Sequence, residues 1–229
     1  YEIDFIMMTN VLITVQYDKI KLVEDFWHEC EARNAVTERY GKTPIHLLYY
    51  LLRIFFSNSF RELDKIQEEI DSIEEKVFNT RAKELLEDIS ILKRDVLDFR
   101  RTFKPQHLTL ESLIPQGVQL FGEKIKPFLA DLVGEYLKVW NLLETHKEAL
   151  DALHDTNRQL LAARTNEIMR VFTILAFISF IPTVVANIYG MNIAHLPFAE
   201  RADAFWIVQG IMISSTLAVY IILKLRKLV

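Results

Sequence analysis

Residues able to do chemistry are thinly spread in this chain, and most of their patterns fall short of a site. Gly41-Lys42-Thr43 ends like a phosphate-binding loop, but Val36 stands where a glycine is needed five residues earlier, and Pro44 follows directly. His28 and Cys30 make one close pair of nitrogen and sulfur ligands, while His107, His146, His154 and His195 are scattered, so zinc chemistry finds no cluster. No nucleophile sits beside a base in a catalytic pattern, and no zinc-protease motif is present. The best-placed polar group is Asn192 in Tyr189-Gly190-Met191-Asn192, at the end of a long uncharged run. Its carboxamide oxygen is a neutral acceptor, able to hold a hydrated cation through the cation's own waters; a carboxylate there would attract cations more strongly but release them less readily. Read from local pattern alone, Gly190 and Asn192 serve equally as a helix stop.

The elements that position Asn192 follow from an uneven distribution of charge. The 229 residues are 51% apolar and 25% charged with a net charge of −4, yet only six charged residues lie from Val171 onward: Glu200, Arg201, Asp203, Lys224, Arg226 and Lys227. An acidic, water-compatible body is joined to a part suited to lipid. A pI near 5.9 without a basic stripe argues against nucleic-acid binding. The single Cys30 allows no intrachain disulfide, which is compatible with a reducing compartment without establishing one, and no signal-like segment opens the chain. Because position one is Tyr1, residues upstream are expected to be missing or processed.

Val171 to Tyr189 carries no charge, and at about 1.5 Å per residue it covers roughly 28 Å, close to the hydrocarbon thickness of a bilayer. Ala204 to Leu223 is a second such run, with Trp206 and Tyr220 near its ends where interfacial aromatics belong. Arg164 and Arg170 precede the first span, and Lys224, Arg226 and Lys227 follow the second. The positive-inside tendency therefore puts both termini in the cytoplasm and the intervening loop outside.

In the body, Leu12 to Gln16 falls within a β-branched alternating run that predicts a strand, the last piece of a sheet. Pro44 opens an apolar core helix over Ile45 to Phe56. Ser59 and Glu62 fit a capping box that starts a second helix, whose stripe is Phe60, Leu63, Ile66, Ile70, Ile73 and Val77. After a turn at Asn79 and Thr80, a helix from about Lys83 to Phe103, stopped by Pro105, completes an antiparallel hairpin. From Pro127 to Pro182 there is no proline and only Gly134 among the glycines, so one helix is expected to run from water into the bilayer. Leu129, Tyr136, Leu143 and Leu150 alternate along it with Leu132, Val139, Leu153 and Leu160, and His146, Asn157 and Arg164 interrupt this seam. Periodicity alone allows an intrachain bundle; continuity with a span favours a stalk that oligomerises, because two spans cannot enclose a polar path.

Tyr189-Gly190-Met191-Asn192 closely resembles the signature of the CorA family of divalent-cation channels, placed as in that family at the outer end of the first of two spans. Pro182-Thr183, Thr165-Asn166-Glu167-Ile168-Met169, Leu12 to Val15, Leu47-Leu48-Tyr49, Leu63 to Phe78, and the segment from Leu92-Lys93-Arg94 to Phe99-Arg100-Arg101 extend the resemblance over essentially the whole chain. It implies a mainly α fold with a small, partly missing β portion: a cytoplasmic α/β domain (1–123), a stalk helix (124–170) continuous with a first transmembrane helix (171–192), an outer loop (193–203), a second transmembrane helix (204–223) and a basic tail (224–229). The assembly it implies is a funnel-shaped homopentamer of the inner or plasma membrane that conducts hydrated Mg²⁺, with Co²⁺ or Ni²⁺ also able to pass.

Under that resemblance Gly190, Met191 and Asn192 form the selectivity filter, with one Asn192 from each subunit in a ring. Spacing of three and four puts Thr183, Phe180, Ala176, Phe172 or Thr173, Met169 and Asn166 on one helix face. These match the family's pore-lining positions, with Asn187 nearer the mouth. Thr183 would add a polar ring, and Met169 and Phe172 an apolar constriction, although Phe172 fits simple packing equally. The absence of Asp, Glu or His from the first span argues for passage of a hydrated cation over a proton relay. Asp131 matches a carboxylate sharing a regulatory Mg²⁺ between subunits, and Asp155 one facing the inner pore; loss of that ion would leave like charges to repel. Glu200 and Asp203 substitute for a more acidic outer loop, and Arg53, Ser57 and Asn58 stand where the family often has acids. The run Glu68, Glu69, Asp71, Glu74 and Glu75 reads as a solvated face. The rival within the fold is a ZntB-like Zn²⁺ transporter, and outside transport a membrane-anchored coiled-coil scaffold.

Overall fold

The computed structural model describes residues 2–32, 40, 43–77, 82–192, 197–198 and 201–225. The sequence features at Gly41-Lys42, Asn79-Thr80, His195, Glu200 and Arg226-Lys227 lie outside them. Two strands, β1 (Ile3–Met7) and β2 (Leu12–Gln16), are followed by α1 (Lys21–Ala32), α2 (Pro44–Lys76), α3 (Ala82–Phe103), α4 (Gln106–Phe121), a short 3₁₀ turn (Glu123–Ile125), α5 (Lys126–Tyr189) and α6 (Ala204–Leu225). Two compact units divide the chain, residues 1–157 and 158–229, and α5 contributes to both.

In the first unit β1 and β2 pair antiparallel, Ile3 opposite Gln16 and Met7 opposite Leu12, and the Met8 amide donates to the Val11 carbonyl at 2.8 Å to close the connection. The predicted β2 thus has a partner strand that sequence reading did not assign. Ile3 and Phe5 turn toward a cluster of Val23, Phe26, Tyr40 and Leu51, whereas Ile6, Ile13 and Val15 on the alternate face are exposed.

The capping box at Ser59 and Glu62 does not start a helix; α2 runs unbroken for 33 residues from Pro44, which sits in the first turn. Ser59 donates instead to the Phe55 carbonyl at 3.0 Å, a bond made inside a continuing helix. Packing explains the override. Phe56, Leu63 and Ile70, two turns apart, are each at most 5% exposed, so one buried stripe carries the helix through the local start signal.

Pairings along α5 set the directions of its neighbours. Phe103 stacks on Tyr136 at 5.0 Å, Arg100 lies over the Trp140 ring at 5.4 Å, and Lys93 binds Asp151, so α3 descends as α5 ascends. His46 meets Phe128 edge-on at 5.0 Å and Tyr49 bonds Asp131, while Asp64 and Asp71 act on His146, so α2 runs alongside α5 in the same sense. The hairpin of α2 and α3 expected from the sequence therefore embraces the lower part of α5. That arrangement corrects the oligomerising seam. Leu129, Leu132, Tyr136, Val139, Leu143, Leu150 and Leu153 are buried by the chain's own helices, because α2 and α3 each bring an apolar stripe of matching length. His146 and Asn157, which interrupt the seam, are fully buried with it.

The foot of α5 is set by α4, a helix absent from the sequence reading because Pro115 lies within it. Gly122, with φ +86°, turns the chain out of α4 and toward the 3₁₀ turn, a conformation that favours glycine. At Gly117 a Cβ would come within 2.5 Å of the Leu129 side chain, so the missing side chain lets α4 press onto α5.

Candidate functional site

In the second unit α5 continues to Tyr189, with Pro182 inside it, and α6 covers part of its surface. Both contain apolar stretches long enough to cross a membrane, starting for α6 at Ala204, and those stretches are not buried within the chain. α5 meets α6 through Ile178 and Pro182, which line a groove of about 420 Å³ with Gln209, Met212, Thr216 and Tyr220. At about 100° per residue, Ile174 and Val185 share that side of α5, and both are half-buried.

The expected pore-lining residues lie on the opposite side. Asn166, Met169, Phe172, Thr173, Ala176, Phe180, Thr183 and Asn187 are all exposed, Phe172 at 64% and Phe180 at 63%. A helix in lipid gains nothing from a face that carries two carboxamides and two hydroxyls. The two hydroxyls are oriented from within: Thr173 donates to the Met169 carbonyl and Thr183 to the Ser179 carbonyl, both at 2.7 Å. With their protons used along the helix, these oxygens offer lone pairs outward, the polarity needed to meet the hydrogens of a cation's water shell.

The end of α5 is a tight stop. The Gly190 amide donates to the Ala186 carbonyl at 2.8 Å and the Met191 amide to the Ile188 carbonyl at 3.3 Å. Glycine is favoured at 190 by close approach, since a Cβ there would lie 3.1 Å from the Ala186 carbonyl oxygen, and not by a left-handed backbone. Met191 and Asn192 follow, and both are exposed at the helix end. Of the outer-loop acids, Glu200 lies outside the described residues. The Asp203 carboxylate accepts from Arg201 at 3.1 Å and 3.4 Å, which offsets its field at the start of α6.

The two carboxylates expected to sense cations differ in their surroundings. Asp155 is exposed on α5, near the end of the first unit. Asp131 accepts a 2.7 Å hydrogen bond from the Tyr49 hydroxyl, and Arg53 donates to that same hydroxyl oxygen at 3.2 Å. Burial pushes the Tyr49 phenol above its ordinary pKa, and the bond to Asp131 adds to the shift, so tyrosine remains the proton donor. Sequence reading missed this arrangement; its one local trace is Arg53 four residues after Tyr49, which puts both on one face of α2. Among the described residues no three His, Cys, Asp or Glu side chains gather as a metal site within the chain.

Further along, Asp151 is bound by both Lys93 and Lys147, which hold its carboxyl below the usual range. Among the described residues His146, at 0% exposure, has no hydrogen-bond partner on either ring nitrogen; burial lowers its pKa, with Asp64 and Asp71 pulling the other way.

The model of the CorA-like Mg²⁺ transporter protein family matches residues 1–225. The chain is 30% identical over 186 residues to the cobalt/magnesium transport protein CorA of Thermotoga maritima, covering 81% of this chain and 52% of that one. The structure of the CorA magnesium transporter from Methanocaldococcus jannaschii superposes with a TM-score of 0.82 at 24% identity, over 95% of this chain and 68% of the other. That of the full-length CmaX protein gives 0.69 at 22% identity, over 95% and 64%. The chain spans about half the length of the curated Thermotoga relative. With the family signature at the exposed end of α5, and a family match running from the hairpin through α6, the chain belongs to the CorA family.

Proposed function

We propose that the protein moves hydrated Mg²⁺ across the inner or plasma membrane through an axial path built by several copies of the chain, five in the arrangement the family resemblance implies. The observation that carries this reading is the open face of α5. Asn166, Met169, Phe172, Thr173, Ala176, Phe180, Thr183 and Asn187 share the side of the helix away from α6 and are exposed. Symmetric copies would bring those faces together around an axis, and Asn192 would then ring the outer mouth with neutral oxygens.

Each residue has a physical part in that path. Asn192, with Gly190 and Met191, meets the ion while it keeps its waters, which Mg²⁺ gives up reluctantly. Asn187 and Thr183 continue the polar contact inward. Phe180, Ala176, Phe172 and Met169 narrow the path with apolar side chains able to close by dewetting, and Thr173 and Asn166 offer polar atoms near the inner end. Both termini face the cytoplasm and residues 193–203 face outward, from the basic flanks at Arg164, Arg170 and Lys224. Asp155 is the exposed acid best placed to attract cations on the inner side. Because a filter of this kind reads a water shell, Co²⁺ is a second cargo, in line with the name of the Thermotoga relative.

Ion flux into liposomes carrying the full-length protein tests the reading. Mg²⁺ influx driven by its own gradient, with no proton gradient, is the expected result. Influx of Zn²⁺ but not Mg²⁺, dependent on a proton gradient, would replace it with the zinc-transporter reading.

A further inference from the structure

The carboxylate at which the family resemblance locates feedback by internal Mg²⁺ is already engaged within its own chain. Asp131 Oδ2 accepts the Tyr49 proton at 2.7 Å, and the Arg53 guanidinium donates to the same tyrosine oxygen at 3.2 Å while lying over its ring at 5.7 Å. Arg53 is within electrostatic reach of both Asp131 and Glu135, one turn apart on α5, and Glu135 is further paired with Lys138 at 2.7 Å. A magnesium ion needs oxygen ligands whose lone pairs face it and an environment that favours positive charge. Here one carboxylate oxygen is occupied by a hydrogen bond, the second acid has a lysine, and a fixed cation stands beside both. These residues do not fit a resident divalent ion.

We propose that Arg53 is the built-in counter-cation of Asp131, held there through Tyr49, so that internal Mg²⁺ does not act on the long helix at this level. An exchangeable ion is replaced by a covalently attached one whose occupancy does not depend on concentration. The consequence for flux rests on the transport reading: feedback through Asp131 is absent, and any response to internal Mg²⁺ arises elsewhere. The binding test does not depend on transport.

Hydrogen exchange in the α2 and α5 segments around Tyr49 and Asp131 is measured across a Mg²⁺ series, on full-length protein in lipid nanodiscs. The variants are Arg53→Gln, Arg53→Lys, Asp131→Asn and the double variant R53Q/D131N. With Arg53 present, D131N leaves the Mg²⁺ midpoint of these segments unchanged. In R53Q the midpoint falls by about tenfold or more, as removal of a nearby positive charge requires, and D131N in that background reverses the gain. R53K, which keeps the charge, behaves as the wild type in its midpoint. Arg53 is exposed, so its substitutions leave the buried seam intact, and the protection of α5 around Leu143 reports that directly. A wild-type Mg²⁺ response lost in D131N, or a midpoint in R53Q equal to that of the wild type, overturns the proposal. Absence of Mg²⁺ flux when the wild type and each variant are placed in liposomes, with the exchange pattern in nanodiscs as expected, would instead count against the transport reading alone.

Discussion

The two parts of α5 share a helix and differ in who satisfies them. Up to Asn157 every apolar position of the seam is closed by α2, α3 or α4, and Leu132, Val139, Leu143 and Leu150 have no exposure at all. Beyond Arg158 the helix is mostly exposed, and the side that α6 leaves uncovered carries Asn166, Thr173, Thr183 and Asn187. The lower part has its apolar seam covered within the chain, whereas the upper part makes physical sense only once something covers that face. Folding information and functional information are therefore separated along one helix.

Substitutions separate them most strongly at the buried seam. Leu143→Ala removes a fully buried side chain and should lower unfolding stability by about 2–5 kcal/mol, read by chemical denaturation of the full-length protein. Phe180→Ala, 63% exposed on the open face, should leave that stability nearly unchanged and alter ion flux. Equal destabilisation by both would mean that the open face is already packed.

His146 is the weak point of the lower part. Its ring nitrogens are buried without partners among the described residues, so His146→Leu should stabilise the protein by roughly 1–3 kcal/mol. Its folded pKa lies below the ordinary value of 6.5, so the unfolded chain binds the extra proton first. The stability contribution is whole above about pH 6.5 and declines as pH falls from there toward the folded pKa. Thermal unfolding at pH 7.5 and 5.5 should show this acid sensitivity in the wild type and less of it in His146→Leu; equal sensitivity in both would remove the histidine from the explanation.

The smallest effect belongs to Lys147. Its bond to Asp151 is about one-third exposed, so Lys147→Ala should cost no more than about 1 kcal/mol. Asp151 has a depressed folded pKa, first because of Lys93 and then Lys147, so its contribution is present above the ordinary carboxylate value of 3.8 and is lost only as pH falls through the folded one. Loss of this increment already at pH 6 would contradict the assignment.

Hydrophobic runs and helix punctuation made the two spans, the continuity of α5 and the α2–α3 hairpin readable, because uncharged length and a three-four apolar stripe are properties of the segment itself. The partner of a stripe is not. Leu129 to Leu153 has the same pattern whether its neighbours come from the same chain or another, and only the matching stripes of α2 and α3 decide it. Ser59 and Glu62 misled for the same reason: a local helix-start signal yields when Phe56 and Leu63 are buried on both sides of it. Asn192 and the open face could be named by resemblance and spacing, but the meeting of Tyr49, Arg53 and Asp131 joins positions 82 residues apart and leaves no periodic trace.

The most direct test concerns Asn192. In liposomes carrying the full-length protein, Asn192→Ala should abolish Mg²⁺ influx while the unfolding stability and subunit assembly remain those of the wild type. Mg²⁺ influx at the wild-type rate in Asn192→Ala would contradict the role given to the carboxamide at the mouth of the open face.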